Sequence, residues 1–537
     1  MTFSKLNKRL PLKLAAGLLA GSSLIASLLG LFRDRYFNSL YYLTYPSGAD
    51  AYAVAFTVPD FMFVILVSGA LSVSFIPVFN QRLVSGNKKS AWELSTSIMN
   101  LMALATFVMS ILIIIFAEPL VQYVVGPGLD ESARSLAISM MRVIAVSPML
   151  FAVATVITSM QQAVGRFAFF ALAPALYNVG IIIGLLFFTN GITIFGWQVF
   201  EGGIMGVALG VVLGAILQLI VSTFGLFGMG FDYRFKIFWK NKGFRQVLRL
   251  LPPRSLDQGI DYVNSIVETN LASRMIAGSV LAYKQVTSLT YVPINLIGVA
   301  ISTAAYPKMT ERIAEGRPDL FKSELQSVLR VIIWLALPVT VIAVFGRGYI
   351  INFIVNGGDP YMASILAVLA VSILFRSVYF ISARSFYAQQ DTKTPLYISL
   401  FTITLNITLA IWFSLGLSMG VHGLAWAAVI VSIVEVSVLF YLMSKRIKGL
   451  FDKKFLSAIG RMASAAGFMA VVTYLTVAML PLSADDQRFF DSFPKFVLIG
   501  GISALTYLLF SYLFKLKEVE PVFNRIRKIL FQRPGKK

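Results

Sequence analysis

Hydrophobic positions along this chain gather into long, nearly unbroken runs separated by short polar intervals. A bilayer-spanning helix needs about 20 consecutive, mostly apolar residues. Fourteen runs reach that length, at 13–32, 51–79, 93–117, 135–160, 168–189, 203–229, 247–272, 279–306, 325–345, 361–383, 396–416, 420–443, 457–480 and 496–514. The pattern predicts an all-α polytopic membrane protein with about 14 transmembrane helices. The first run lacks a clear small-residue cleavage site and ends in Arg33-Asp34-Arg35, so it reads as a helix rather than a signal peptide.

Composition agrees. Of 537 residues, 57% are hydrophobic and only 13% charged, where a soluble domain carries about 25% charged. A soluble enzyme is excluded. The net charge of +21 then needs a place. With the N-terminus inside, 33 of the 46 Lys and Arg residues fall on alternate loops of one face and seven on the other. That bias follows the positive-inside rule. It predicts a multi-pass protein of the cytoplasmic membrane with both termini cytoplasmic. The basic, aromatic connection near 230–246 and the tail around Arg525–Lys528 read as interfacial segments on the anionic leaflet, in preference to nucleic-acid contacts. Cysteine is absent and His422 is the single histidine, expected in a loop. Thiolate or histidine metal clusters and histidine-based triads are thereby excluded.

The chain also repeats itself. Pro77–Gly86 resembles Pro307–Gly316, Gln161-Gln162 and Asn178 are echoed by Gln389-Gln390 and Asn406, and Gly203–Gly206 by Gly420–Gly423. A unit of six helices is even in number, so both copies insert in the same orientation. They are expected to flank a cavity, as alternating access requires. The corresponding division is 1–230, 231–446, a pair of extra helices at 447–516 and a basic tail at 517–537.

Ionisable residues inside spans are costly and mark cavities or partners. Arg33 and Asp34 end the first span and Asp50 opens the second, a set suited to an anionic head group with the carboxylates orienting the cation. In the seventh span Asp257, Asp261, Asn264 and Glu268 fall within about 60° on one helical face. That stripe suits Na⁺ or proton coupling, or a wall of a water-filled cavity. Lys284 lies on the eighth span and Arg376 mid-way along the tenth. Lys284 is expected to pair with the acidic stripe or with a substrate phosphate. Arg142 and Arg330 are expected to snorkel, and Asn178 and Asn406 to bond across helices.

These residues carry a resemblance. Gly30–Asp34, Ala49–Phe56 with Pro59, Ser68–Ala70, Phe75–Pro77, Arg166-Phe167 with Ala173-Pro174, Ala277–Val280 and Phe386–Pro395 are similar to the corresponding stretches of the MurJ (MviN) family, lipid II flippases of the multidrug/oligosaccharidyl-lipid/polysaccharide exporter superfamily. The likeness runs in order over roughly 20–445. It implies two six-helix lobes forming a V-shaped central cavity and a lipid-tail groove at the last two helices. It further implies transport of an undecaprenyl-diphosphate-linked precursor, and partners among the bilayer lipids and cell-wall synthesis proteins. Arg33, Asp34 and Asp50 match cavity positions of the family. The chain departs at Ser27, Phe63 and Ser288, where the family carries arginines. Lys284, one turn from Ser288, is a partial substitute. Some relatives bind Na⁺ between helices 7, 11 and 12, and Asp257 or Asp261 with Asn406 resembles that site. No cofactor is expected beyond Na⁺, H⁺ or the membrane potential. The alternatives are an exporter of another polyprenyl-diphosphate-linked glycan or a cation-coupled drug antiporter.

Overall fold

The computed structural model describes residues 11–68, 75–195, 197–483, 486–521 and 524, the side chains at 12–13, 15–16, 68, 194, 252–258 and 260–261 excepted. Among the described residues, thirteen helices are long and apolar enough to cross a membrane. They are α1 (Gly17–Tyr42), α2 (Pro46–Val67), α3 (Lys88–Val125), α4 (Glu131–Ala163), α5 (Ala168–Asn190), α6 (Met205–Phe224), α8 (Ser279–Ala314), α9 (Pro318–Phe345), α10 (Pro360–Ala388), α11 (Lys393–Gly416), α12 (Val421–Arg446), α13 (Lys453–Met479) and α14 (Phe489–Leu513). The remaining expected span is the 32-residue helix α7 (Lys242–Ser273), long enough to cross but carrying the acidic stripe. The segment from Phe188 to Met205 adds a two-stranded antiparallel hairpin, β1 (Ile192–Ile194) and β2 (Trp197–Phe200), that the apolar runs did not signal. The tail around Arg525–Lys528 lies outside the described residues.

The chain divides into two compact units, Met1–Leu281 and Ala282–Lys537. The sequence repeat placed the division at 230/231. In the structure α7 belongs to the first unit, because its end is stitched to the turn after α3. Asn270 Nδ2 donates to the Val124 carbonyl at 2.7 Å, and the Gly128 N–H donates to Ser273 Oγ at 3.2 Å. The core of the first unit gathers Phe75, Phe79, Leu94, Ile98, Met160, Phe244 and Val247. In the second unit α13 and α14 pack on each other and on α9 around Phe321, Ile332, Phe386, Met462 and Tyr507. Trp334 Nε1 donates to Ser511 Oγ at 3.1 Å across that layer.

Lipid supplies no hydrophobic drive between apolar helices, so close backbone approach does the work. It is clearest between α5 and α6. A Cβ on Gly180 would lie 2.2 Å from Gly214 Cα, and one on Gly184 would lie 2.6 Å from Gly210 Cα. The spacing of four on both helices puts the bare patches face to face.

The repeat shows in local geometry. Gly86 and Gly316 close matching turns, with Asn87 N–H donating to the Arg82 carbonyl and Arg317 N–H to that of Arg312. A π-helical turn ends α2 at Val64–Ser68 and another interrupts α8 at Asn295–Val299, offset by 231 residues. Gly203 and Gly420 both take positive φ before α6 and α12. The second match shifts: the left-handed residue after α4 is Gly165 and that after α10 is Gln390, an offset of 225 rather than 228.

Two expectations are corrected. His422 sits in the first turn of α12, not a loop, with Nε2 2.7 Å from Ser364 Oγ. Arg330 forms an ion pair with Glu518 at 2.6 Å instead of snorkelling, because the chain beyond α14 folds back against α9. Arg142 donates to the Ile114 carbonyl at 3.3 Å.

At the α10–α11 junction, Asp391 accepts from the N–H groups of Lys393 and Thr394, the Thr394 hydroxyl and the Arg446 guanidinium. Burial pushes its carboxyl up, but the hydrogen bonds from Thr394 and Arg446 outweigh it and hold the pKa at about 2. A depressed carboxylate contributes stability above its ordinary value and loses it as pH falls toward the folded one. Thermal melts of the purified protein should therefore show a stability loss between pH 4 and pH 2 that Asp391→Asn lacks, with Asp391→Ala costing roughly 0.5–2 kcal/mol at neutral pH as a lost helix cap. Gly180→Ala, by contrast, should cost about 1–3 kcal/mol by overpacking, read as a lowered melting midpoint independent of pH.

Candidate functional site

α1 and α5 pack against each other, and the contact between them is polar at one point. Arg33, near the end of α1, is held from two sides. Its Nε and Nη2 donate to Asp34 Oδ1 at 2.9 and 2.7 Å, and its Nη1 donates to Asn178 Oδ1 on α5 at 2.9 Å. Asn178 is itself oriented, its Nδ2 donating to the Ala26 and Pro174 carbonyls at 3.2 and 3.3 Å. Gly30 leaves room for the amide, since a Cβ there would stand 3.9 Å from Asn178 Oδ1. The expected cross-helix bond of Asn178 is thus present, and it converges on the expected cation.

A guanidinium has five N–H donors in a fixed fork. Among the described residues three are used, and the Arg33 side chain remains 26% exposed. The fork is therefore locked in direction with two donors left for an incoming acceptor. Bidentate recognition of phosphate is what that geometry suits. On the same helix and on α2, the Phe37 and Tyr52 ring centroids lie 4.7 Å apart and those of Tyr52 and Phe56 4.9 Å apart.

Asp50 lies elsewhere. It is 2% exposed on α2, and its two oxygens accept the Gly278 and Leu281 N–H groups at 2.7 and 2.9 Å. The carboxylate therefore caps the start of α8 from a neighbouring helix, satisfying donors that a helix N-terminus leaves open.

On α7, Asn264 Nδ2 donates to Glu268 Oε1 at 2.9 Å, joining two members of the expected stripe. Asp257 and Asp261 lie on the same helix, but their side chains fall outside the described residues. In the second unit, Lys284 is half-buried on α8 with its carbonyl accepting the Ser288 hydroxyl at 2.9 Å, and Arg376 is half-buried on α10. Asn406 on α11 is 3% exposed.

The structure adds a residue that the sequence reading missed. Glu435 on α12 is 7% exposed, and Thr402, one turn before Asn406, donates its hydroxyl to Glu435 Oε1 at 3.2 Å. The signal was present: Glu435 is the one carboxylate in the run Val421–Arg446. Among the described residues no group of three or more His, Cys, Asp or Glu converges as a metal site.

The model of the family described as "Lipid II flippase MurJ" matches residues 41–483. A probable lipid II flippase MurJ of Thermotoga maritima is 27% identical over 490 residues, covering 89% of this chain and 92% of that one. Its counterpart in Bdellovibrio bacteriovorus is 26% identical over 446 residues, covering 81% and 83%. Among solved structures, lipid II flippase MurJ in an inward closed conformation superposes with a TM-score of 0.73 at 24% identity, over 93% of this chain and 98% of that one. An inward-facing multidrug resistance MATE family transporter of the MOP superfamily superposes with a TM-score of 0.66 at 17% identity, over 80% and 96%. With the matched region spanning most of its helices, this chain belongs to the lipid II flippase MurJ family.

Proposed function

We propose that this protein moves lipid II across the cytoplasmic membrane by alternating access, taking the head group through a polar path while the polyprenyl tail stays in lipid. The observation that carries the reading is the Arg33 guanidinium, fixed by Asp34 and Asn178 with two donors free inside an apolar pair of helices. A diphosphate bears acceptors in the spacing that such a fork meets, and a partly desolvated site strengthens each charge-assisted bond. Family membership supports lipid II as the substrate, and the fold shared with MATE transporters solved facing both inward and outward supports the rocking cycle. The two termini lie in the cytoplasm on this reading, as the cation bias of the loops requires.

Return of the emptied protein is driven by the membrane potential or by Na⁺ or H⁺. Carboxylates placed within helices at Glu268 and Glu435 support the ion-coupled form. One charge moved across the bilayer is worth about 2.3 kcal/mol per 100 mV, which supports the potential-driven form.

The test is rescue of cells depleted of their lipid II flippase, paired with flipping in liposomes. Wild-type protein should restore growth and translocate lipid II. Arg33→Ala should lose about 1.5–3 kcal/mol of head-group binding, or roughly 10- to 100-fold in flipping. Arg33→Lys should recover only part of this, because an ammonium cannot reproduce the fork. Asn178→Leu, which releases the fork without removing the charge, should fall between wild type and Arg33→Ala. A properly inserted wild-type chain that transports a different polyprenyl-diphosphate glycan and fails to rescue would overturn the assignment of lipid II.

A further inference from the structure

The connection between α6 and α7 is folded tightly across the beginning of α3. Asn100 anchors it, its Nδ2 donating to the Arg234 and Lys236 carbonyls at 2.9 and 3.1 Å and its Oδ1 accepting the Tyr233 hydroxyl at 2.9 Å. Further along, the Phe238 N–H donates to Ser97 Oγ at 2.9 Å, and Asn241 Nδ2 reaches Ser90 and Glu93. Between this strap and α3 lies a cavity of about 250 Å³ lined by Lys89, Trp92, Glu93, Thr96, Asp232, Arg234 and Phe238.

Thr96 borders the cavity with no exposed surface, and its hydroxyl has no hydrogen-bond partner. The neighbouring hydroxyls of Ser95 and Ser97 bond back to the preceding turn, as serine and threonine in helices usually do. With no accessible surface, that hydroxyl lies behind the cavity wall, and a ligand would meet the other lining groups. Their charges say which ligand. Two cations and two carboxylates line the space, with Arg234 and Asp232 paired at 2.7 Å. A plain anion would meet Glu93 and Asp232, and a plain cation would meet Lys89 and Arg234. A zwitterion meets a complement at each end, and the Trp92 ring offers a face for an ammonium, that of Phe238 already carrying Lys236 Nζ at 5.7 Å.

The surroundings give the source. Phe235 is 93% exposed and Trp239 59% exposed on the same strap. Exposed aromatics between lysines and arginines sit at head-group depth in a bilayer. We propose that this cavity holds the phosphoethanolamine head of a zwitterionic phospholipid. Its phosphate lies toward Lys89, its ammonium lies toward Glu93 and Trp92, and its acyl chains remain in the membrane.

The experiment is native mass spectrometry of the full chain released from mixed vesicles of phosphatidylethanolamine, phosphatidylglycerol and phosphatidylcholine. The expected result is selective retention of phosphatidylethanolamine, reduced about tenfold by Lys89→Gln through loss of a charge-assisted bond. Thr96→Val, which changes only a group behind the cavity wall, should leave retention unchanged. Soluble phosphoethanolamine should fail to displace the lipid. Preference for phosphatidylglycerol, equal retention by wild type and Lys89→Gln, or displacement by soluble phosphoethanolamine would each overturn the proposal.

Discussion

Inside a bilayer a backbone polar group has no water to turn to, so each N–H and carbonyl must find a partner within the protein. That constraint explains why this chain is helical almost throughout and where it departs from the regular α-helix. The π turn at Asn295–Val299 frees carbonyls that an α-helix would occupy. Arg384 on α10 answers it, its Nη1 donating to the Val299 carbonyl at 3.0 Å and also bonding the Ser302 hydroxyl. Gly298 lets α10 come close enough for this, since a Cβ there would stand 2.7 Å from Ser377 Cα. A charge, a bulge and a glycine form one device, and none makes sense without the others.

The same accounting separates the polar residues that hold the fold from those that remain available. Asp50 is fully engaged in closing the start of α8, and Asp391 in closing that of α11. Glu518 neutralises Arg330, and Asp486 neutralises Lys495 at 2.6 Å. Arg33 differs because its partners fix its direction without exhausting its donors. A cation that is oriented but not saturated is what the proposed recognition of a travelling phosphate demands: binding firm enough to select and open enough to release.

Much of the fold was legible from the chain. Among the described residues each of the fourteen apolar runs meets a helix, since burial in lipid depends on length and polarity, which are properties of a segment alone. The repeat was legible too, and its turn at Gly86 recurs at Gly316 with the same hydrogen bonds. Less was legible where a side chain's role depends on another helix. Asp50 and Asp34 read alike as acidic residues near span ends, yet one caps a backbone and the other braces a guanidinium. Arg330 read as a snorkelling cation because Glu518 lies 188 residues away. Glu435 passed unnoticed because a lone acid in an apolar run carries no spacing to read.

The sequence by itself determined that the chain crosses a membrane many times, which loops carry its cations, and which family motifs it bears. Hydrophobic transfer and loop charge act on local stretches and need no knowledge of neighbours. Only the tertiary structure decided that α7 joins the first compact unit, that Asn178 steers Arg33, and that a strap closes a cavity over α3. Those outcomes rest on hydrogen bonds of about 3 Å between residues more than a hundred positions apart. Distances of that kind are set by packing, and packing is a property of the folded whole.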